Sequence, residues 1–175
     1  MRIGYGIGAI IVASMLLAGC ASPRPIHTVD RVDLPRFMGD WYVIANIPTF
    51  IEKDAYNSVE SYRLAEDGSI DTTFSFRAGG FDGELEQYHP RGFVRDGTGN
   101  AVWGMQFVWP FRAEYRIIYL SADYRHTIIG RSKRDYVWIM ARSPQIAEPA
   151  FTGMLAFLGE QGYDISLIEK VPQRW

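Results

Sequence analysis

The chain holds a single thiol, Cys20, directly behind the small residues Ala18 and Gly19. A lone cysteine forms no internal disulfide and no cysteine-based metal cluster. The three histidines, His27, His89 and His126, lie far apart and show no metal-ligand spacing. No Gly-x-Ser-x-Gly elbow is present to supply a nucleophilic serine. The sequence reads as a non-enzyme with no cofactor and no metal. The formal net charge of −2 argues against nucleic acid as a partner, because phosphate binding needs a basic excess.

Cys20 closes a segment of distinct character. Arg2 supplies a positive start, Ile10 to Ala18 is apolar apart from Ser14, and Leu17-Ala18-Gly19-Cys20 follows. The apolar run is shorter than the ~20 residues that a spanning helix needs, and Ser22-Pro23-Arg24-Pro25 breaks the chain after it. The four residues ending at Cys20 resemble a bacterial lipobox. That resemblance implies a signal peptide over 1–19, cleavage before Cys20, and an S-diacylglyceryl group and an N-acyl chain such as palmitate on Cys20. Several acyl chains anchor a protein stably where one is marginal. Ala21, which is not Asp, implies the outer membrane by the same resemblance. Residues 20–33 then read as a lipidated tether and 34–175 as one domain.

Within that domain short segments alternate with turn signals, as in an antiparallel barrel or sandwich. The expected strands are Trp41 to Ile47, Asn57 to Leu64, Ile70 to Arg77, Glu84 to Tyr88 continued by Gly92 to Arg95, Ala101 to Trp109, Glu114 to Leu120, Thr127 to Gly130 and Tyr136 to Arg142. Phe151, Met154, Leu155 and Leu158 fall on one stripe of a helix predicted over Glu148 to Gln161. A short last strand is expected over Asp164 to Ile168. The fold class is therefore all-β with one flanking α-helix, an eight-stranded up-and-down antiparallel barrel.

Three segments carry a further resemblance. Phe37-Met38-Gly39-Asp40-Trp41-Tyr42, Ser121-Ala122-Asp123-Tyr124-Arg125-His126 and Trp138-Ile139-Met140-Ala141-Arg142-Ser143-Pro144 are similar, in order and spacing, to the conserved regions of lipocalins. Ala122 departs from the threonine of the family's Thr-Asp-Tyr turn. The resemblance is closest to the bacterial, apolipoprotein D-like branch and implies a lipocalin barrel whose closed base is built on Gly39, Trp41 and Arg142. The Arg142 guanidinium is expected over the Trp41 indole.

With Trp41 turned inward, strict alternation places a set of side chains in the calyx. These are Val43 and Ala45, then Ser58, Glu60 and Tyr62, then Thr72, Phe74 and Phe76. Met105, Phe107, Trp109, Tyr115, Ile117, Tyr119, Trp138 and Met140 complete the set. Periodicity alone leaves a filled core and a cavity both open, and a one-residue slip would turn Glu60 to the surface. Ala45, Ser58 and Thr72 provide small positions that favour a cavity. The family resemblance implies a fatty acid or lysophospholipid ligand, stored or transported at the outer membrane with its polar head at the open mouth. An anchored barrel serving as a protein-interaction module, or as a homodimer, is the alternative that the sequence leaves standing.

Overall fold

The structure, a computed structural model, describes residues 25–175. The segment expected to be a signal peptide, and Cys20 itself, lie outside the described residues. A one-turn helix α1 (Leu34–Phe37) precedes the strands β1 (Gly39–Ile47), β2 (Ala55–Leu64), β3 (Ile70–Ala78), β4 (Leu85–Tyr88) and β5 (Arg91–Val94). They are followed by β6 (Val102–Val108), β7 (Phe111–Leu120), β8 (His126–Gly130), β9 (Val137–Ala141), helix α2 (Glu148–Glu160) and a two-residue strand β10 (Glu169–Lys170). Each strand pairs antiparallel with its neighbour, and β1 pairs with both β2 and β9, so the sheet closes into the expected barrel of eight staves. Closure leaves no long edge open to another chain.

The fourth stave is split. β4 and β5 both pair with β3, and His89-Pro90 interrupts them. Pro90 has no N–H for the ladder, but its carbonyl still accepts from the Thr72 N–H at 3.2 Å. The last strand also differs from expectation. Asp164 caps the backbone N–H of Ser166, so Ile165–Leu167 turns as a 3₁₀ helix and only Glu169–Lys170 extends. A short Asx cap outcompetes strand pairing here because Asp side chains bond their own backbone two residues on.

The wall separates two apolar cores. Inside the barrel, Phe37, Trp41, Val43, Trp103, Ile117, Ile129 and Met140 fill the closed end. Outside, Phe151, Met154 and Leu158 of α2 cover Ile44, Ala45, Ile118, Ile128 and Ile139. Pro149 stands in the first turn of α2, where its missing N–H costs nothing. The stretch before α1 is no free tether: Ile26 is buried against the outer core, Val29 N–H bonds Ile117 O at 3.0 Å, and Val32 is fully buried. Alternating polar residues and prolines hid these three anchoring side chains from a composition-based reading.

The C-terminus completes the wall. β10 pairs with the upper half of β1, Val171 N–H donates to Ile44 O, and Gln173 Nε2 donates to Val43 O and Ser58 O at 2.8 and 3.1 Å. The tail thus bridges β1 and β2 where those two strands part.

Candidate functional site: an apolar cavity above a plugged base

The closed base is built around Arg142. Its Nη2 donates to the carbonyls of Arg36, Phe37 and Met38 at 2.8–2.9 Å, and Nη1 donates to Asp40 O at 2.7 Å. The guanidinium carbon sits 3.9 Å from the Trp41 ring centroid, a distance at which the indole face attracts a cation. Trp41 Nε1 donates to Phe37 O at 2.8 Å, so the buried indole leaves no polar atom unmet. Gly39 has φ +89°, and a Cβ there would lie 3.5 Å from Arg142 Nη1. Positive φ is the reason this position takes glycine. The 121–126 turn buttresses the base from below: Tyr124 OH accepts from Asp33 N–H at 2.9 Å, and Arg36 lies over the Tyr124 ring. Where Ala122 departs from the family's threonine, Ser121 Oγ donates to Asp123 at 2.6 Å and holds the turn.

Above this plug the barrel encloses a cavity of about 620 Å³, within the range of small-molecule sites. Its walls are Phe74, Tyr88, Met105, Phe107, Val108, Ala113 and Trp138, and its floor is Glu60, Thr72 and Tyr115. Of the calyx residues expected from alternation, Glu60, Thr72, Phe74, Met105, Phe107, Tyr115 and Trp138 border this cavity. Val43, Ile117 and Met140 belong to the solid interior below it, Tyr62 lies beneath the floor against Phe37 and Trp103, and Phe76 packs on Phe74 and Tyr88. Ser58 is buried without lining the cavity, its hydroxyl unbonded.

Three of the expected residues face elsewhere. Ala45 packs beneath α2, because a bulge between Val43 and Ala45 adds one residue and reverses the faces beyond it. Tyr119 is likewise turned outward by a bulge between Ile117 and Tyr119, and its ring meets Phe157 at 5.6 Å. Trp109 stands in the β6–β7 hairpin, 81% exposed.

The first bulge also turns Asn46 inward, a position that alternation assigns to the outside. Asn46 Nδ2 and Trp138 Nε1 donate to Glu52 Oε1, and the Thr49 N–H and hydroxyl donate to Glu52 Oε2. Four hydrogen bonds hold this buried carboxylate and pin the β1–β2 loop across the mouth, with Phe50 and Ile51 on the cavity side. Loop residues carry no periodicity, so nothing in the sequence marked them. Arg131 and Tyr136 border the mouth, and His89, expected away from the calyx, borders the cavity with Nδ1 3.3 Å from Thr73 Oγ1. Beyond the mouth, Phe50, Trp109 and Phe111 are each more than three-quarters exposed. Together with Phe107 and Val108 they form an apolar rim.

Glu60 does point inward. Tyr62 OH donates to Glu60 Oε2, and the Tyr62 and Tyr115 hydroxyls are 2.7 Å apart. The carboxyl faces the cavity and is otherwise enclosed by protein. Burial pushes its pKa up from 4.5 to about 7; the Tyr62 hydrogen bond opposes this and the Glu52 charge adds to it. The Tyr62 and Tyr115 phenols are raised well above 10, chiefly by the same burial. A second, open depression on the outside of β2 and β3 is lined by charges such as the Arg63–Asp71 pair at 2.5 Å and offers no apolar surface of this kind.

A family model described as a lipocalin-like domain matches residues 32–173. The chain belongs to the lipocalin family. This lipocalin is 29% identical over 164 residues to the outer membrane lipoprotein Blc of Escherichia coli K12, covering 90% of each chain. It is 26% identical over 158 residues to apolipoprotein D of Bos taurus, covering 85% of this chain and 79% of that one. Among solved structures, insecticyanin from the tobacco hornworm Manduca sexta superposes with a TM-score of 0.67 at 15% identity over 83% of each chain. That superposition establishes the shared barrel. A lipocalin with such a cavity binds small apolar molecules.

Proposed function

We propose that this lipocalin is a lipid carrier of the outer membrane, anchored by acyl chains on Cys20 and holding a fatty acid or lysophospholipid in its calyx. The apolar cavity of about 620 Å³ carries this reading. Each methylene moved from water into it contributes about 0.8 kcal/mol. The similarity to proteins named outer membrane lipoproteins supports the location, and Leu17-Ala18-Gly19-Cys20 supplies the anchoring chemistry. Arg131, which borders the mouth with its guanidinium 3.5 Å from Asp135, is the cation of the described lining that an acyl carboxylate or a phosphate would meet. The function is binding without turnover.

Native mass spectrometry of the protein extracted from membranes tests the whole reading. The expected result is a diacylglyceryl-modified, N-acylated Cys20 with a noncovalent lipid on the barrel. Delipidated protein should bind lysophospholipid saturably, with a change in Trp138 fluorescence. An unlipidated Cys20 would refute the anchor. A delipidated barrel that takes up no acyl ligand but retains a protein partner would replace the carrier with an interaction module.

The apolar rim gives a second expectation. Trp109→Ser combined with Phe111→Ser should slow ligand uptake from phospholipid vesicles by about tenfold. Affinity for monomeric ligand should stay unchanged, because neither side chain lines the cavity. An equal loss in affinity and in rate would place these residues in the binding site and not at its approach.

A further inference from the structure

We infer that the cavity floor is a hydroxyl-binding subsite, in which Glu60 and Tyr115 receive the hydroxyl at the buried end of an elongated apolar ligand. The inference rests on the reading that the cavity holds such a ligand, and it adds a polar requirement at the end opposite the mouth.

The geometry is directional. Tyr62 OH is committed as donor to Glu60 Oε2. In its 2.7 Å contact with Tyr115, Tyr62 must therefore accept and Tyr115 donate. The relay Tyr115→Tyr62→Glu60 spends both phenolic protons inside the protein. It leaves a lone pair on the Tyr115 oxygen and the whole of Glu60 Oε1 without a protein donor among the described residues. Tyr115 and Glu60 both border the cavity, whereas Tyr62 is beneath it. Two unspent acceptor positions thus lie at the floor, beside the unbonded hydroxyl of Thr72 and below apolar walls.

Among the described residues Glu60 takes part in no ion pair, and the charge of Glu52, a carboxylate itself satisfied by four donors, acts on it unfavourably. A buried carboxyl with one partner is costly for the fold, and such groups concentrate at functional sites. A ligand carboxylate or phosphate at the floor would be repelled by the Glu60 carboxylate while that group is ionised, and would find the Thr72 hydroxyl as the only unspent donor among the described floor residues. A methyl end would leave Oε1 dry and unbonded. A hydroxyl suits both protonation states, donating to the carboxylate and accepting from the protonated acid.

Displacement of a fluorescent apolar probe by two acids of equal length, hexadecanoic and 16-hydroxyhexadecanoic acid, separates these cases. Both leave their carboxylate at the mouth, so only the end at the floor differs. In the wild type the hydroxy acid should bind about tenfold more tightly than its parent. A floor without a partner gives the opposite sign, since burying an unpaired hydroxyl is unfavourable. In Glu60→Leu the preference should invert, with the parent acid bound more tightly because its methyl end no longer buries an unbonded carboxyl oxygen, and an unchanged far-UV circular dichroism spectrum shows the barrel intact. Glu60→Gln keeps an acceptor and should retain most of the preference, and Tyr115→Phe should lose part of it. Equal binding of the two acids by wild type, or a preference that survives Glu60→Leu, overturns the subsite. Failure of both acids to bind would overturn the carrier function itself.

Discussion

Replacing Trp41 with alanine should lower the unfolding free energy by about 3–5 kcal/mol, the range for a buried tryptophan or phenylalanine reduced to alanine. That is a large part of the 5–15 kcal/mol typical of a domain. The loss has three parts: the cavity left among Phe37, Tyr62 and Trp103, the Nε1–H bond to Phe37 O, and the face on which Arg142 rests. Arg142→Ala should also be severe, because four bonds to base carbonyls are lost at once and, of the four acceptors, Phe37 O keeps its bond from Trp41 Nε1. The two losses should not add. A double-mutant cycle read by urea unfolding should return a coupling of about 1–2 kcal/mol between the residues. Additive effects would mean that the guanidinium holds the carbonyls without help from the indole.

The second large effect is one of pH. Glu60 has an ordinary value of 4.5 in the unfolded chain and about 7 in the fold, so the native state binds its proton more tightly. The stabilisation is fully present below pH 4.5 and is lost as pH rises through 7, amounting to about 3 kcal/mol at 1.36 kcal/mol per pKa unit. Asp67, Asp123 and Asp164 act in the opposite sense. Their carboxyls are held below 3.8, first of all by the hydroxyls of Ser69, Ser121 and Ser166. Their contribution disappears only as pH falls through those lower values, outside the window that Glu60 controls. Urea unfolding at pH 4.5, 6 and 8 should show wild type weakening relative to Glu60→Gln, with the two equal at the acid end. Parallel profiles would mean that Glu60 ionises in the fold as it does in water.

The base was legible because its residues announce themselves by type. Trp41, Arg142 and the Asp123-Tyr124 turn act through chemistry that few other side chains supply, and their order along the chain is fixed. The staves were legible because period-2 alternation and Gly- or Asp-rich turns survive in any register. The cavity was legible only up to each bulge. One added residue near Ile44 and another near Ile118 reverse every face beyond them, and neither leaves a mark in composition. That is why Ala45 and Tyr119 face outward and Asn46 faces inward. Alternation also gives the facing of a side chain but not its height in the barrel, so Val43, Ile117 and Met140 belong to the plug and not to the ligand space. Glu52 was illegible for another reason. Its role depends on a loop that folds back on Asn46 and Trp138, a contact spanning 86 positions in the chain.

The docking of Ile26, Val29 and Val32 on the barrel has a geometric corollary. Under the proposed acylation of Cys20, five peptide units would separate the anchored residue from Pro25, a contour of at most about 18 Å. The ten residues of β7 alone extend about 33 Å. Such a link would be shorter than the body it holds, so the proposed anchor would keep the barrel against its leaflet, and the barrel would trade molecules with a patch of bilayer no wider than itself.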